Sequence, residues 1–167
     1  MHRLILLRHG KAERESSSGD DFDRRLAGRG VRDSKAVGET LADLGLAPDL
    51  ALVSPSARTR ETWAVLAETF PKAEVRYEDG LYHADTEAVR RLVDQFAGQA
   101  GTIMVVGHNP GLQDLTTRLL VEGKALAGLI ARAQQRFPTA AAAVFLIDAE
   151  GRPFYDGLFL PRHGGAD

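Results

Sequence analysis

Four short, nearly uninterrupted apolar runs constrain what this chain can become: RLILL at 3–7, LALV at 50–53, TIMVV at 102–106 and AAAAVFLI at 140–147. A strand that is apolar on both faces must be covered on both, which is the condition of a strand inside a largely parallel sheet. The segments between these runs have helical spacing. In 30–44 the apolar positions are Val31, Val37, Leu41 and Leu44, and Gly45 stands where a helix stops. Residues 57–70 read as helix up to Pro71, and 86–96 as helix with Thr86 as cap and Val89, Leu92, Val93 and Phe96 as the buried stripe. A helix over 110–120 is entered through Asn109 as N-cap and Pro110 at the first helical position. Short strands are expected at 74–77 and 154–160, the latter paired with the fourth run through a turn at 148–151. Residues 10–24 form a polar loop, and 121–134 a weak helix interrupted by Gly123 and Gly128. Strands alternating with helices predict an α/β sandwich with a mostly parallel central sheet.

Composition narrows the class. The 167 residues, 44% hydrophobic and 26% charged, suit one domain, here expected over 1–163 with a frayed end at 164–167. Cysteine is absent, which removes disulfides and thiolate metal sites and fits a reducing compartment. The net charge of −2 offers no basic face for nucleic acid. Leu4–Leu7 is too short for a signal peptide, and no run approaches the roughly 20 apolar residues of a membrane span. A cytoplasmic location is the expectation.

Three of the four apolar runs end in polar clusters: Arg8-His9-Gly10, then Ser54 with Arg58 one turn on, then His108-Asn109. Parallel neighbours in an α/β sheet deliver such residues to one rim, at the carboxyl ends of the strands. Two arginines and two histidines sharing a small volume make sense around an anion, and a tetrahedral phosphate matches the bidentate guanidinium fork. The helix after His108 would add backbone N–H groups. A neutral imidazole is available near physiological pH as a nucleophile, so one histidine would attack phosphorus and the other, with the arginines, would stabilise the equatorial oxygens. Gly10 would let the backbone pass close to the phosphate or supply an unusual φ. His2, His83 and His163 fall outside these clusters and read as solvated.

Arg8-His9-Gly10 after an apolar strand, Ser54-Pro55-x-x-Arg58-x-x-x-Thr62 and Val106-Gly107-His108-Asn109-Pro110-Gly111 together resemble the histidine phosphatase superfamily. The stretch LLRHGKAE, Asp21-x-x-Arg24-x-Leu26 with Arg29-Gly30, Leu81-Tyr82-x-Ala84 and Pro138-Thr139 are similar to its small SixA-type phosphohistidine phosphatases. The resemblance implies a phosphoglycerate mutase-like, three-layer sandwich: a mixed, mostly parallel sheet with helices on both faces. It implies His9 as the phosphorylated nucleophile, with Arg8, Arg58 and His108 completing a phosphate pocket to which Gly10 and Asn109 also belong. It implies no metal and no organic cofactor.

The chain departs from the family's pattern in ways that bear on substrate. Larger relatives carry an acidic proton donor near the position of Glu78 and Asp79, where this sequence follows the SixA pattern instead. Expelling imidazole makes smaller demands on an acid than expelling an alkoxide, so the departure favours a phosphoramidate. Glu15 stands near the place of a substrate-binding asparagine of the mutases, where an anion would repel a second phosphate or carboxylate. Ala27 replaces the threonine of a Leu-Thr-x-Arg-Gly pattern. The short chain lacks the insertions that cover small substrates, which suits phosphohistidine on a protein such as a phosphotransfer domain. Lys11, Arg24 and Arg29 are placed to meet an acidic partner or simply to be solvated. The alternatives are a broad-specificity phosphatase of small esters and a non-catalytic phosphate- or phosphoprotein-binding module. A metal site built on His9 and His108 is opposed by the two arginines.

Overall fold

The computed structural model describes residues 1–162. His163 and the expected frayed end at 164–167 lie outside them. The elements, in chain order, are β1 (Arg3–Arg8), α1 (Gly28–Asp43), β2 (Leu50–Val53), α2 (Ala57–Thr69), β3 (Glu74–Tyr77), α3 (Thr86–Phe96), β4 (Thr102–Gly107), α4 (Gly111–Glu122), α5 (Ala127–Gln135), β5 (Ala142–Ile147) and β6 (Pro153–Phe159). Single helical turns at Asp21–Asp23 and Asp79–Leu81 interrupt the longer loops.

The six strands form one sheet in the order β3-β2-β4-β1-β5-β6. β3, β2, β4 and β1 are parallel, while β5 runs against β1 and β6 against β5, so the sheet is mixed and mostly parallel. The apolar runs divide their side chains between two cores, as period-two alternation requires. Leu4, Leu6, Leu50, Leu52, Ile103 and Val105 face the side covered by α3, α4 and α5. Ile5, Leu7, Ala51, Val53, Met104 and Val106 face the side covered by α1 and α2. Helices therefore cover both faces.

Local details depart from the sequence reading for identifiable reasons. Asp85, not Thr86, caps α3, its carboxylate accepting from the Ala88 amide at 2.8 Å; a carboxylate one residue earlier serves the orphan N–H groups better than a hydroxyl already inside the helix. Asn109 is not the cap of α4. Pro110 occupies that position, and the Asn109 amide donates instead to the Phe137 carbonyl at 2.8 Å. β5 starts two residues later than the apolar run, because Ala140 is left-handed at φ 63° and gives its N–H to the carbonyls of Arg8 and His9. The weak helix at 121–134 is the end of α4, a break at Gly123 and Lys124, and α5.

The largest departure is in α1. Val31 and Leu44 are 43% and 57% exposed, and the buried face carries Gly30, Ser34, Val37, Gly38 and Leu41. The small residues let the helix approach the backbone that follows β1. A methyl group on Gly30 would sit 2.1 Å from the Lys11 carbonyl oxygen, and one on Gly10 would sit 2.6 Å from the Gly30 carbonyl oxygen. Neither glycine has positive φ. They are required by closeness, not by conformational freedom.

Gly30→Ala therefore forces backbone apart beside His9. Overpacking of this kind costs about 1–3 kcal/mol, so thermal unfolding should move down by roughly 2–10 °C for a chain of this size. Gly28→Ala, whose added carbon meets nothing closer than the Arg32 side chain at 3.5 Å, should leave the melting temperature nearly unchanged. Equal melting temperatures for the two variants would contradict the packing account.

Candidate functional site

The register of the parallel strands decides which side chains meet. Arg8 pairs with Gly107 and Val53 with Val106, so β1, β2 and β4 end on the same level. The pairing runs one residue further, with the His9 amide donating to Gly107 at 3.1 Å and the Ser54 amide to Val106 at 3.0 Å. His9, Ser54 and His108 emerge together, and α2, starting just after Ser54, brings Arg58 to them. His9, Arg58 and His108 are 7%, 6% and 9% exposed, and form the floor of a cleft of about 360 Å³.

The His9 Nδ1 lies 2.7 Å from the Gly10 carbonyl oxygen. A carbonyl only accepts, so Nδ1 carries the proton and Nε2 keeps its lone pair. The Arg58 Nε–H points at that Nε2 over a long 3.4 Å. Arg58 also donates to the Asp21 backbone carbonyl at 2.8 Å and to its carboxylate at 3.0 Å, and its Nη2 approaches His108 Nδ1 at 3.4 Å. A guanidinium has no acceptor, so His108 Nδ1 is the accepting nitrogen and Nε2–H donates to Ser54 Oγ at 2.8 Å. One arginine thus orients both imidazoles.

Arg8 and Asn109 share an anchor, the Phe137 carbonyl, at 3.1 and 2.8 Å. Both line the cleft together with Thr139 from the loop that carries that carbonyl. Gly10 does not line it. Its N–H donates to Thr62 Oγ1 at 3.0 Å and its Cα packs on α1, so the structure gives it a packing role in place of a position on the cleft wall. The start of α4 is likewise absent from the cleft wall, because the Leu112 amide turns back to the His108 carbonyl at 3.0 Å.

Asp21 is the residue whose role the sequence did not reveal. Its carboxylate accepts from Tyr82 OH at 2.7 Å, Arg24 at 2.9 Å and Arg58 at 3.0 Å. Partial burial works against ionisation, but the hydrogen bonds from Tyr82, Arg24 and Arg58 outweigh it and hold the carboxyl far below the usual carboxylate range. The Asp21-x-x-Arg24 and Leu81-Tyr82 motifs were the available signal. His83, read as solvated, is exposed yet lines the cleft. Glu15, Glu78 and Asp79 do not line it, so the charge repulsion expected of Glu15 does not act at the wall. Of the cations suggested for docking, Lys11 and Arg24 reach the cleft, while Arg29 turns to Asp33 at 3.6 Å. Four cations, Arg8, Lys11, Arg24 and Arg58, then face one carboxylate, an imbalance suited to an anion. Among the described residues no group of three or more His, Asp or Glu could hold a metal ion, and no helix is long and apolar enough to cross a membrane.

Burial, reinforced by the neighbouring His9, Arg58 and His83, pushes His108 down to about 3. His108 is therefore neutral near physiological pH, ready to accept a hydrogen bond at Nδ1. In the unfolded chain it would titrate near ~6.5. Below that value the unfolded state binds the proton first, so this contribution to stability is complete above ~6.5 and is lost as pH falls towards the folded value. The slope approaches ~1.4 kcal/mol per pH unit. Asp21 acts only below the ordinary carboxylate value of ~3.9, in a separate window. Urea unfolding of His108→Asn between about pH 6 and 4 should show a pH slope shallower than the wild type by roughly 1 kcal/mol per unit. Parallel slopes would mean that His108 is not the buried neutral base described here.

Comparison with known proteins agrees with this geometry. Residues 4–89 match the model of the histidine phosphatase superfamily, branch 1. An uncharacterised protein of Mycobacterium leprae is 32% identical over 141 residues, covering 83% of this chain and 85% of its own. The crystal structure of a protein provisionally named phosphohistidine phosphatase SixA, from Agrobacterium tumefaciens, superposes with a TM-score of 0.84 at 28% identity, over 96% of this chain and 98% of that one. A phosphoglycerate mutase from Plasmodium falciparum shares the fold, with a TM-score of 0.65 at 16% identity over 99% and 97% of the two chains. The Arg8-His9-Gly10 strand end and the α1 and α2 packing that frames it lie inside the matched segment, and the chain belongs to the histidine phosphatase superfamily.

Proposed function

We propose that the protein is a cofactor-independent phosphatase working through a phosphohistidine at His9, and that its substrate is phosphohistidine on a protein. The observation that carries the reading is the pair of fixed tautomers on the floor: an accepting Nε2 on His9 and an accepting Nδ1 on His108, both aimed at by Arg58. A phosphoryl group lowered onto this floor meets the His9 lone pair for in-line attack. Arg8, Arg58 and Asn109 would hold its oxygens, and electrostatic stabilisation of this kind is the main lever on phosphoryl transfer. A phosphoryl dianion would also favour a proton on His108, turning its Nδ1 from acceptor to donor as charge builds on an equatorial oxygen.

The choice of leaving group rests on what the cleft lacks. Among the described residues its one carboxyl is Asp21, and that group is held ionised by three donors. An alkoxide must take its proton on the very oxygen that is leaving phosphorus, whereas the imidazole of phosphohistidine takes it on its second nitrogen, away from the breaking bond. The name of the Agrobacterium protein, at 28% identity over 96% of this chain, points to the same substrate class. A phosphohistidine on a folded partner suits a cleft with an exposed rim, and Lys11 and Arg24 on that rim suit an acidic surface.

Turnover of a phosphohistidine-bearing phosphotransfer domain should exceed that of alkyl phosphate esters in kcat/KM by at least about 100-fold. Comparable values would favour the broad-specificity reading, and phosphate binding without release from any substrate would favour the binding module. His9→Ala should lose at least about 1000-fold in kcat and trap no phosphoenzyme in an acid-free quench. Full turnover by this variant would remove His9 from the mechanism.

A further inference from the structure

With Asp21 ionised and Glu78 and Asp79 off the wall, the proton for the leaving group needs another source. The cleft contains a third imidazole. His9, Arg58 and His108 are more than nine-tenths buried, whereas Tyr82 is half-buried and His83 exposed, so His83 stands at the rim above the floor. A substrate entering phosphate-first puts phosphorus on the floor and its leaving group level with that rim.

His83 is not placed at random. Its ring lies against Tyr82 with centroids 3.9 Å apart, and Tyr82 is itself fixed by Asp21, by an edge contact with Phe22 at 5.0 Å and by another with His108 at 5.6 Å. The His83 backbone is left-handed at φ 60°, a conformation uncommon for a residue with a side chain and worth attention beside a site. Among the described residues neither ring nitrogen has a hydrogen-bond partner, which leaves both for a ligand. The charged and titratable groups sharing the cleft with it are Arg8, Lys11, Asp21, Arg24, Arg58, His9 and His108. Imidazole is the side chain whose charge ordinarily changes near neutral pH, which makes it the natural proton carrier in a cleft without a carboxylic acid.

We propose that His83 is the leaving-group acid of this phosphatase, donating its ring proton to the second nitrogen of a departing imidazole. The inference rests on the phosphatase reading above. In the first step His9 Nε2 bonds to phosphorus while the bond from phosphorus to the substrate nitrogen breaks. The electron pair of that bond stays with the leaving ring, which has taken the His83 proton on its other nitrogen and departs neutral. In the second step water attacks the phosphorus on His9 and gives a proton to the now neutral His83. The electron pair of the bond to His9 returns to Nε2, phosphate is released, and His83 is again protonated.

The test compares phosphoimidazole with its N-methyl phosphoimidazolium counterpart. At about pH 8, above the ordinary imidazole value of ~6.5, the first substrate must acquire a proton to leave as neutral imidazole. The methylated one leaves as neutral N-methylimidazole without any. His83→Gln should lower kcat/KM for phosphoimidazole about 100-fold, and by at least roughly 30-fold more than for the methylated substrate. Equal losses on both would assign His83 only to holding Tyr82 and the shape of the cleft, and no loss on either would remove it altogether; both results overturn the proposal. If the wild type releases phosphate from neither compound nor from phosphohistidine, the phosphatase reading fails and this inference with it. If the wild type is active and the two losses match, the inference alone fails.

Discussion

The in-register pairing of β1 with β4, and of β4 with β2, is the constraint on which the site depends. A shift of one residue in any of these ladders would turn every side chain to the opposite face. It would carry Leu4 and Ile5 into the wrong cores and move His9 off the level of His108 and Ser54. The two apolar cores therefore hold the floor at its height. Burial of strand residues on both faces fixes register more strongly than hydrogen bonding, which a slipped ladder would largely recover. The geometry of the cleft floor is in this sense a by-product of core packing.

Register sets height, and small residues set approach. Gly10 and Gly30 let α1 press against the chain leaving β1, and Thr62 on α2 takes the Gly10 amide. The backbone carrying His9 is thus held between two helices. Its own carbonyl, at Gly10, fixes the proton on His9 Nδ1. On the other side, the Phe137 carbonyl holds both Arg8 and Asn109, while Ala140 ties the same loop to the carbonyls of Arg8 and His9. His9, Arg8 and Asn109 are thus aimed by backbone carbonyls, while His108 is held by Ser54 Oγ and Arg58 by Asp21, the kind of preorganisation that electrostatic catalysis requires.

What could be read in the sequence follows from this arrangement. Apolar runs and the polar residues ending them are local, so β1, β2 and β4 and the convergence of Arg8, His9, Arg58 and His108 were legible from spacing. The buried face of α1 was not, because its helix is held by closeness: Gly30, Ser34 and Gly38 carry no hydropathic signal, and Val31 looked like core while pointing to solvent. The closeness of Gly10 to α1 was not legible either, since sequence cannot distinguish a glycine needed for phosphate from one needed for a helix. Asp21 and His83 escaped because they reach the cleft from long loops, whose course depends on the side chains they meet. His83 had no pattern at all beyond its place in Leu81-Tyr82-x-Ala84.

The charge arrangement explains why a carboxylate can sit in an anion site without spoiling it. Asp21 neutralises part of the Arg58 charge, which weakens attraction for phosphate, yet it fixes the guanidinium in the one orientation that serves His9 and His108 together. Without that tether, Arg58 would be free to turn towards solvent. With it, three further cations in the cleft still supply the net attraction, and the buried His108 stays neutral until an anion arrives. The same Asp21, by holding Tyr82, also builds the wall on which His83 rests. Its ionisation excludes it from proton donation and at the same time positions the group that can take over that task. In the proposed reaction a single carboxylate thus divides the cleft into a floor for the phosphoryl group and a rim for the leaving group.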